Sequence, residues 1–198
     1  MKRILKMLPI LLLMVLVSCK KKELKPEGFN ITKYSIVGKL SNGYPYIITI
    51  ESDKAVLTHY SATSGKYSFT DGVLNLNFND EVICAFVVEN GGIKSYKGPV
   101  ILNTYDLVKI PSTNQLAGKN FKGTWNNSGS LTQLKFTGAE YIETTNNQQS
   151  IVDYTLINNL AVKKTEGNNL TVFILMNDKL EGGRYKSPNT FWGTFMRE

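Results

Sequence analysis

Few residues in this sequence can do chemistry, and their surroundings limit what that chemistry would be. His59 is the only histidine, so zinc sites built on several imidazoles, and a Ser-His-Asp relay around any other histidine, are excluded. It sits in Val56-Leu57-Thr58-His59-Tyr60 and reads as a surface strand residue. Cys84 lies in the apolar run Val82-Ile83-Cys84-Ala85-Phe86-Val87-Val88, where a thiol behaves as a small buried apolar group, so a Cys84–His59 nucleophile and base are not expected. Glu51 with Asp53, and Glu140 with Glu143, stand beside turn residues and read as ordinary charges, not as the differently tuned carboxylates of a glycosidase. Gly91-Gly92 and Gly182-Gly183 fall where hairpins are expected, and no helical pattern follows either to make a phosphate cradle. Asn79-Asp80-Glu81 and Asn177-Asp178 lack the spaced oxygen ligands of an EF-hand calcium loop. The expectation is a chain without catalytic residues, metal or cofactor, and not an enzyme. Tyrosines and the tryptophans Trp125 and Trp192 are the remaining candidates, for a ligand mouth or a carbohydrate platform, although strands and cores also enrich aromatics.

The other cysteine has a different setting. A basic start, Met1-Lys2-Arg3-Ile4-Leu5-Lys6, precedes an apolar stretch that ends at Ser18-Cys19. That is the layout of a secretory signal, and the stretch falls short of the roughly 18 apolar residues that a spanning helix needs. Leu16-Val17-Ser18-Cys19 resembles the lipobox of bacterial lipoproteins. The resemblance implies that residues 1–18 are removed and that Cys19 becomes the lipidated first residue, leaving Cys84 without a partner for an intramolecular disulfide. Each buried acyl methylene contributes about 0.8 kcal/mol, so several chains hold the mature protein to a bilayer. Lys at position 20 in place of Asp implies the outer membrane, and the absence of an acidic cluster in Cys19-Lys20-Lys21-Lys22-Glu23 implies its periplasmic face.

A net charge of +7 invites a nucleic-acid reading until the charge is located. Seven of the 23 Lys and Arg, but only two of the 16 Asp and Glu, precede Lys33, so 16 bases face 14 acids beyond it. A nearly neutral, exported domain is not expected to bind nucleic acid. The Lys20–Lys25 cluster reads instead as part of a solvated tether, residues 19–32, lying near anionic headgroups.

Beyond the tether, period-two apolar segments recur between turn signals. Tyr46, Ile48 and Ile50 share one face of a strand, and Leu74, Leu76 and Phe78 alternate with Asn75 and Asn77. Asp71-Gly72 predicts a tight hairpin. Leu170-Thr171-Val172-Phe173-Ile174-Leu175-Met176 predicts a central strand covered on both faces. The fold class is therefore all-β, an antiparallel barrel or barrel-like meander.

The pattern also occurs twice. An offset of 87 residues superposes Tyr67 on Tyr154, Asp71 on Asn158, Phe86 on Phe173, Asn90 on Asn177, Ile93 on Leu180, Lys97 on Arg184 and Tyr105 on Trp192. A slightly smaller one places Gly38 and Leu40 on Gly123 and Trp125, and Ile48 and Ile50 on Leu134 and Phe136. This predicts two β repeats, 33–113 and 114–198, with Phe86 and Phe173 facing inward and Asn90 and Asn177 opening equivalent hairpins. Each half could form a small barrel, or both could supply strands to a larger one.

Gly123-Thr124-Trp125, with the closing Gly193-Thr194-Phe195-Met196-Arg197, resembles the G-x-W start and the basic last strand of a lipocalin-type (calycin-type) barrel, and in particular the lipocalin-like lipoproteins of Bacteroidota. The resemblance implies that Trp125 closes one barrel end and packs against Arg197. It assigns no activity. The functional expectation is a tethered, non-enzymatic module that binds an apolar or amphipathic small molecule. The alternative is an accessory lipoprotein that binds another protein of an envelope assembly. A large apolar cavity would favour the first, and a filled interior with an exposed apolar patch the second.

Overall fold

The computed structural model describes residues 29–79 and 82–198; Leu16, Val17, Ser18, Cys19 and the tether as far as residue 28 lie outside the described residues. A 3-10 turn, Ile31–Lys33, leads into β1 (Tyr34–Leu40), β2 (Pro45–Ile50), β3 (Ala55–Thr58), β4 (Ala62–Thr70), β5 (Val73–Phe78), β6 (Val82–Glu89), β7 (Gly92–Lys97) and β8 (Leu102–Lys109). The second half supplies β9 (Asn120–Trp125), β10 (Leu131–Phe136), β11 (Glu140–Thr145), β12 (Gln148–Asp153), β13 (Thr155–Ile157), β14 (Ala161–Glu166), β15 (Asn169–Met176), β16 (Lys179–Lys186) and β17 (Asn189–Arg197).

Each half is a nearly closed antiparallel barrel, so the two-barrel arrangement holds and the single larger barrel does not. In both, the first and last strands pair: β1 with β8, and β9 with β17. The count of eight strands against nine hides an equivalence. β4 pairs with β3 through residues 62–65 and with β5 through residues 66–70, turning a corner of the barrel. In the second barrel the same corner is broken at Tyr154, so that β12 pairs with β11 while β13 pairs with β14.

Phe86 and Phe173 are both fully buried, and Asn90 and Asn177, at φ 53 and 49, open the β6–β7 and β15–β16 hairpins. Asp71 and Asn158, at φ 51 and 46, open the hairpins before β5 and β14. Two pairs from the 87-residue offset do not share a face. A register shift between Val87 and Val88 sets Lys97 opposite Ala85 and in solvent, whereas Arg184 lies opposite Thr171 and points inward. Tyr105 lies opposite Gly38 and packs inside on Phe86, whereas Trp192 faces Gly43 of the other barrel. One extra residue in a ladder moves every later side chain to the opposite face.

The barrels sit side by side. Ala161, Val172 and Ile174 of the second join the apolar core of the first, which is why β15 carries buried residues on both faces. Gly182-Gly183 is not a hairpin but the middle of β16. A Cβ at Gly182 would meet the Phe173 and Phe195 rings at 2.9 Å, and one at Gly183 would meet the Tyr44 ring at 2.7 Å, so the glycines admit aromatic rings from both sides. Lys39 reaches the buried Glu181 at 2.8 Å across this interface, and the Thr194 hydroxyl donates to the same carboxylate at 2.7 Å. Ile31 and Leu116, both buried ahead of the first strand of their barrel, seal one end of each.

Candidate functional site

The two barrels differ at the end away from these seals. In the first, Tyr46, Phe78, Cys84, Phe86 and Tyr96 fill the interior and leave a cavity of about 60 Å³. His59 and Cys84 line that cavity together, so the structure brings the two sequence candidates into one place. Neither is activated there. Burial pushes the Cys84 thiol up to about 11 and lowers the basicity of His59. His59 Nδ1 accepts the Tyr60 and Ser61 amides, which orients the ring to the backbone and not to the thiol.

The second barrel opens into a cup of about 390 Å³. Beneath it lies an aromatic floor that belongs to the barrel core and of which Tyr141 alone reaches the lining: Trp125 packs on Phe195 and Phe173 with centroids 5.2 and 5.9 Å apart, and Tyr141 meets Phe173 at 5.2 Å. Above that floor the wall is polar. Arg184 Nη2 donates to Glu143 Oε2 at 2.7 Å, with the two side chains 18% and 14% exposed. The Arg184 guanidinium also stacks over Trp125, 4.3 Å from the ring centre. Burial pushes the Tyr141 hydroxyl up to about 12, with the Arg184 charge opposing the shift. Ser150 and Val152 of β12, Lys164 and Glu166 of β14, Asn169 and Thr171 of β15, and Lys186 of β16 complete the lining.

Strand registry explains why these residues converge. Lys164 lies opposite Thr171, and Thr171 opposite Arg184, so the three point to the same side of three adjacent strands. The next row toward the mouth begins with Glu166 opposite Asn169. Val162 and Phe173, one row deeper, belong to the apolar core. Along β14, the inward face therefore changes from apolar to ionic within two residues.

The tryptophan of the G-x-W motif is placed inside the barrel, but its basic partner is a correction. Arg197 lies opposite Phe121 and is exposed, while Trp125 lies opposite Gly193, so four residues of β17 separate Arg197 from the tryptophan. Arg184 occupies the stacking position because β16 sets its inward face above the floor. Sequence reasoning missed Arg184, Glu143, Lys164 and Thr171 as a group, having read Glu143 as a charge beside a turn. The available signal was the two-residue spacing that carries Val162, Lys164 and Glu166 along one face.

Among the described residues no group of three or more His, Cys, Asp or Glu side chains is placed to hold a metal ion, and no helix is long and apolar enough to cross a membrane. A groove of about 690 Å³ also runs between the barrels, lined in part by Val108, Met176 and the Lys39–Glu181 pair. No family model, curated protein or solved structure matches this chain.

Proposed function

We propose that this chain is an exported lipoprotein, tethered through Cys19 to the periplasmic face of the outer membrane, whose second barrel holds a small polar molecule without transforming it. The cup carries this reading. Its volume of about 390 Å³ falls within the range of about 300–1,000 Å³ usual for ligand pockets, and its lining sets Tyr141 among convergent polar groups. The first barrel supports no comparable role for an apolar ligand, because its cavity of about 60 Å³ is well below the roughly 150 Å³ of an apolar cavity that accepts benzene. The ligand is accordingly polar, in place of the apolar or amphipathic one the barrel resemblance implied. The lipocalin-like kinship and the envelope location rest on the G-x-W motif and the lipobox. The exposed Ile83, Ile101, Leu131, Ile151 and Met196 are spread over five segments, which gives the protein-partner alternative little support.

Native mass spectrometry of the full chain, purified from cell envelopes in detergent, tests the cup. A polar small molecule should copurify, and Ser150→Trp, which places an indole in the mouth, should remove it. Wild-type protein that carries no such molecule and binds none added would remove the proposal. The tether is tested separately by metabolic labelling with a clickable fatty acid, a signal that Cys19→Ala should abolish.

A further inference from the structure

The row Lys164, Thr171 and Arg184 has a composition that specifies more than polarity. Two cations flank a hydroxyl on three neighbouring strands, spaced so that the outer two backbones are about 10 Å apart. The Thr171 hydroxyl has no partner among the described residues, and it stands at the centre of the row. Arg184 is already fixed by Glu143, Tyr141 and Trp125, yet its two hydrogen-bonding partners, Glu143 and Tyr141, leave it others of the five N–H donors that a guanidinium carries. Lys164 is held differently. Its ammonium reaches Asp153 Oδ1 at 2.6 Å, but Asp153 is 82% exposed, and ion pairs with so exposed a partner contribute little.

We propose that this row is an oxyanion subsite and that Asp153 is a placeholder, a carboxylate of the chain's own that occupies Lys164 until a ligand carboxylate or phosphate replaces it. The inference rests on the cup being the ligand site. The incoming oxyanion would accept from Thr171 Oγ1 and from Lys164, with the remaining donors of the Arg184 guanidinium opposite. Charge-assisted hydrogen bonds of this kind are shorter and stronger than neutral ones. The Glu143–Arg184 pair stays intact throughout, because Arg184 has donors to spare.

The test is calorimetric titration of the full chain in detergent at matched ionic strength, with succinate and inorganic phosphate as oxyanion probes and glucose as the neutral one. At least one oxyanion should bind more tightly than glucose, and the preference between the two tells a carboxylate from a phosphate source. Lys164→Met should weaken oxyanion binding about tenfold, and Thr171→Val several-fold. Asp153→Asn should act in the opposite sense and tighten it several-fold, since it releases Lys164. Asp153 is exposed and Lys164 half-buried in the cup wall, and melting curves of the variants establish that they fold. Glucose binding without oxyanion binding overturns the inference and leaves the cup standing; an Asp153→Asn that weakens binding or leaves it unchanged overturns the placeholder. No binding by any probe, together with no copurifying molecule, removes the cup itself.

Discussion

The two barrels place different residues in one position of the same ladder. In the first, Leu74 and Phe86 form one inward row, and the next toward the mouth is Leu76 with Cys84. In the second, Val162 and Phe173 form the equivalent row, and the next is Lys164 with Thr171 and Arg184. Below this level both interiors are apolar and filled. One row decides the outcome: an apolar pair lets the side chains of the first barrel close over a cavity of about 60 Å³, whereas ions that resist desolvation hold the second open to water. A polar cup can thus be made in a filled barrel by changing one inward row.

The comparison breaks most sharply when the rows are exchanged. Leu76 is 1% exposed, so Leu76→Lys should bury an unpaired ammonium and destabilise the protein by about 4 kcal/mol or more. The reciprocal Lys164→Leu removes only an ion pair with the exposed Asp153 and should leave stability nearly unchanged. Urea unfolding of the two variants measures both, and equal effects would mean that the two mouths are not different environments. Glu143→Ala comes next, at about 3 kcal/mol, because it strands Arg184 over the aromatic floor. Adding Arg184→Ala should return part of that loss, as a double-mutant cycle would show.

Those predictions concern positions that the sequence made hard to see, for a physical reason. Alternation exposes a strand when one face is apolar, as with Leu74, Leu76 and Phe78, and Asp71-Gly72 announces its turn through positive φ. The continuous apolar run 170–176 was legible as a doubly covered strand, although not that its second cover is the other barrel. Lys164 and Glu166 were illegible as an interior face because charges along a strand ordinarily mark the solvent side. Only the register with Thr171 and Asn169 shows that they line a cup. Likewise the repeat is visible at Phe86 and Phe173, but the bulge beside Val88 leaves no residue pattern that would warn against matching Lys97 with Arg184.

The closures differ as well. β16 and β17 pair along eight residue pairs, from Lys179–Met196 to Lys186–Asn189, while β7 and β8 form the two unpaired ends of the first sheet. The amides of β8 that face this seam should exchange with deuterium about tenfold or more faster than those of β17, since opening needs no ladder to break. Uniform protection would show that the first barrel closes in solution.

The smallest effect expected isolates a single matched position, Cys84 against Thr171. Burial raises the Cys84 thiol from 9.0 to about 11, so the folded state keeps a proton that the unfolded chain loses at lower pH. The stability this group contributes is therefore fully present below pH 9.0 and is lost as the pH rises toward about 11. Thr171 does not titrate, and the second barrel has no counterpart at that position. Unfolding measured between pH 8 and pH 11 should consequently show an alkaline decline that is shallower in Cys84→Val, a swap of similar volume that removes the proton. The same thiol should resist iodoacetamide at pH 8 in the folded protein and react once urea unfolds it, because the thiolate is the nucleophile. Rapid alkylation in the folded state would mean that the first barrel admits water to its core, and the contrast between a closed and an open mouth would then lose its basis.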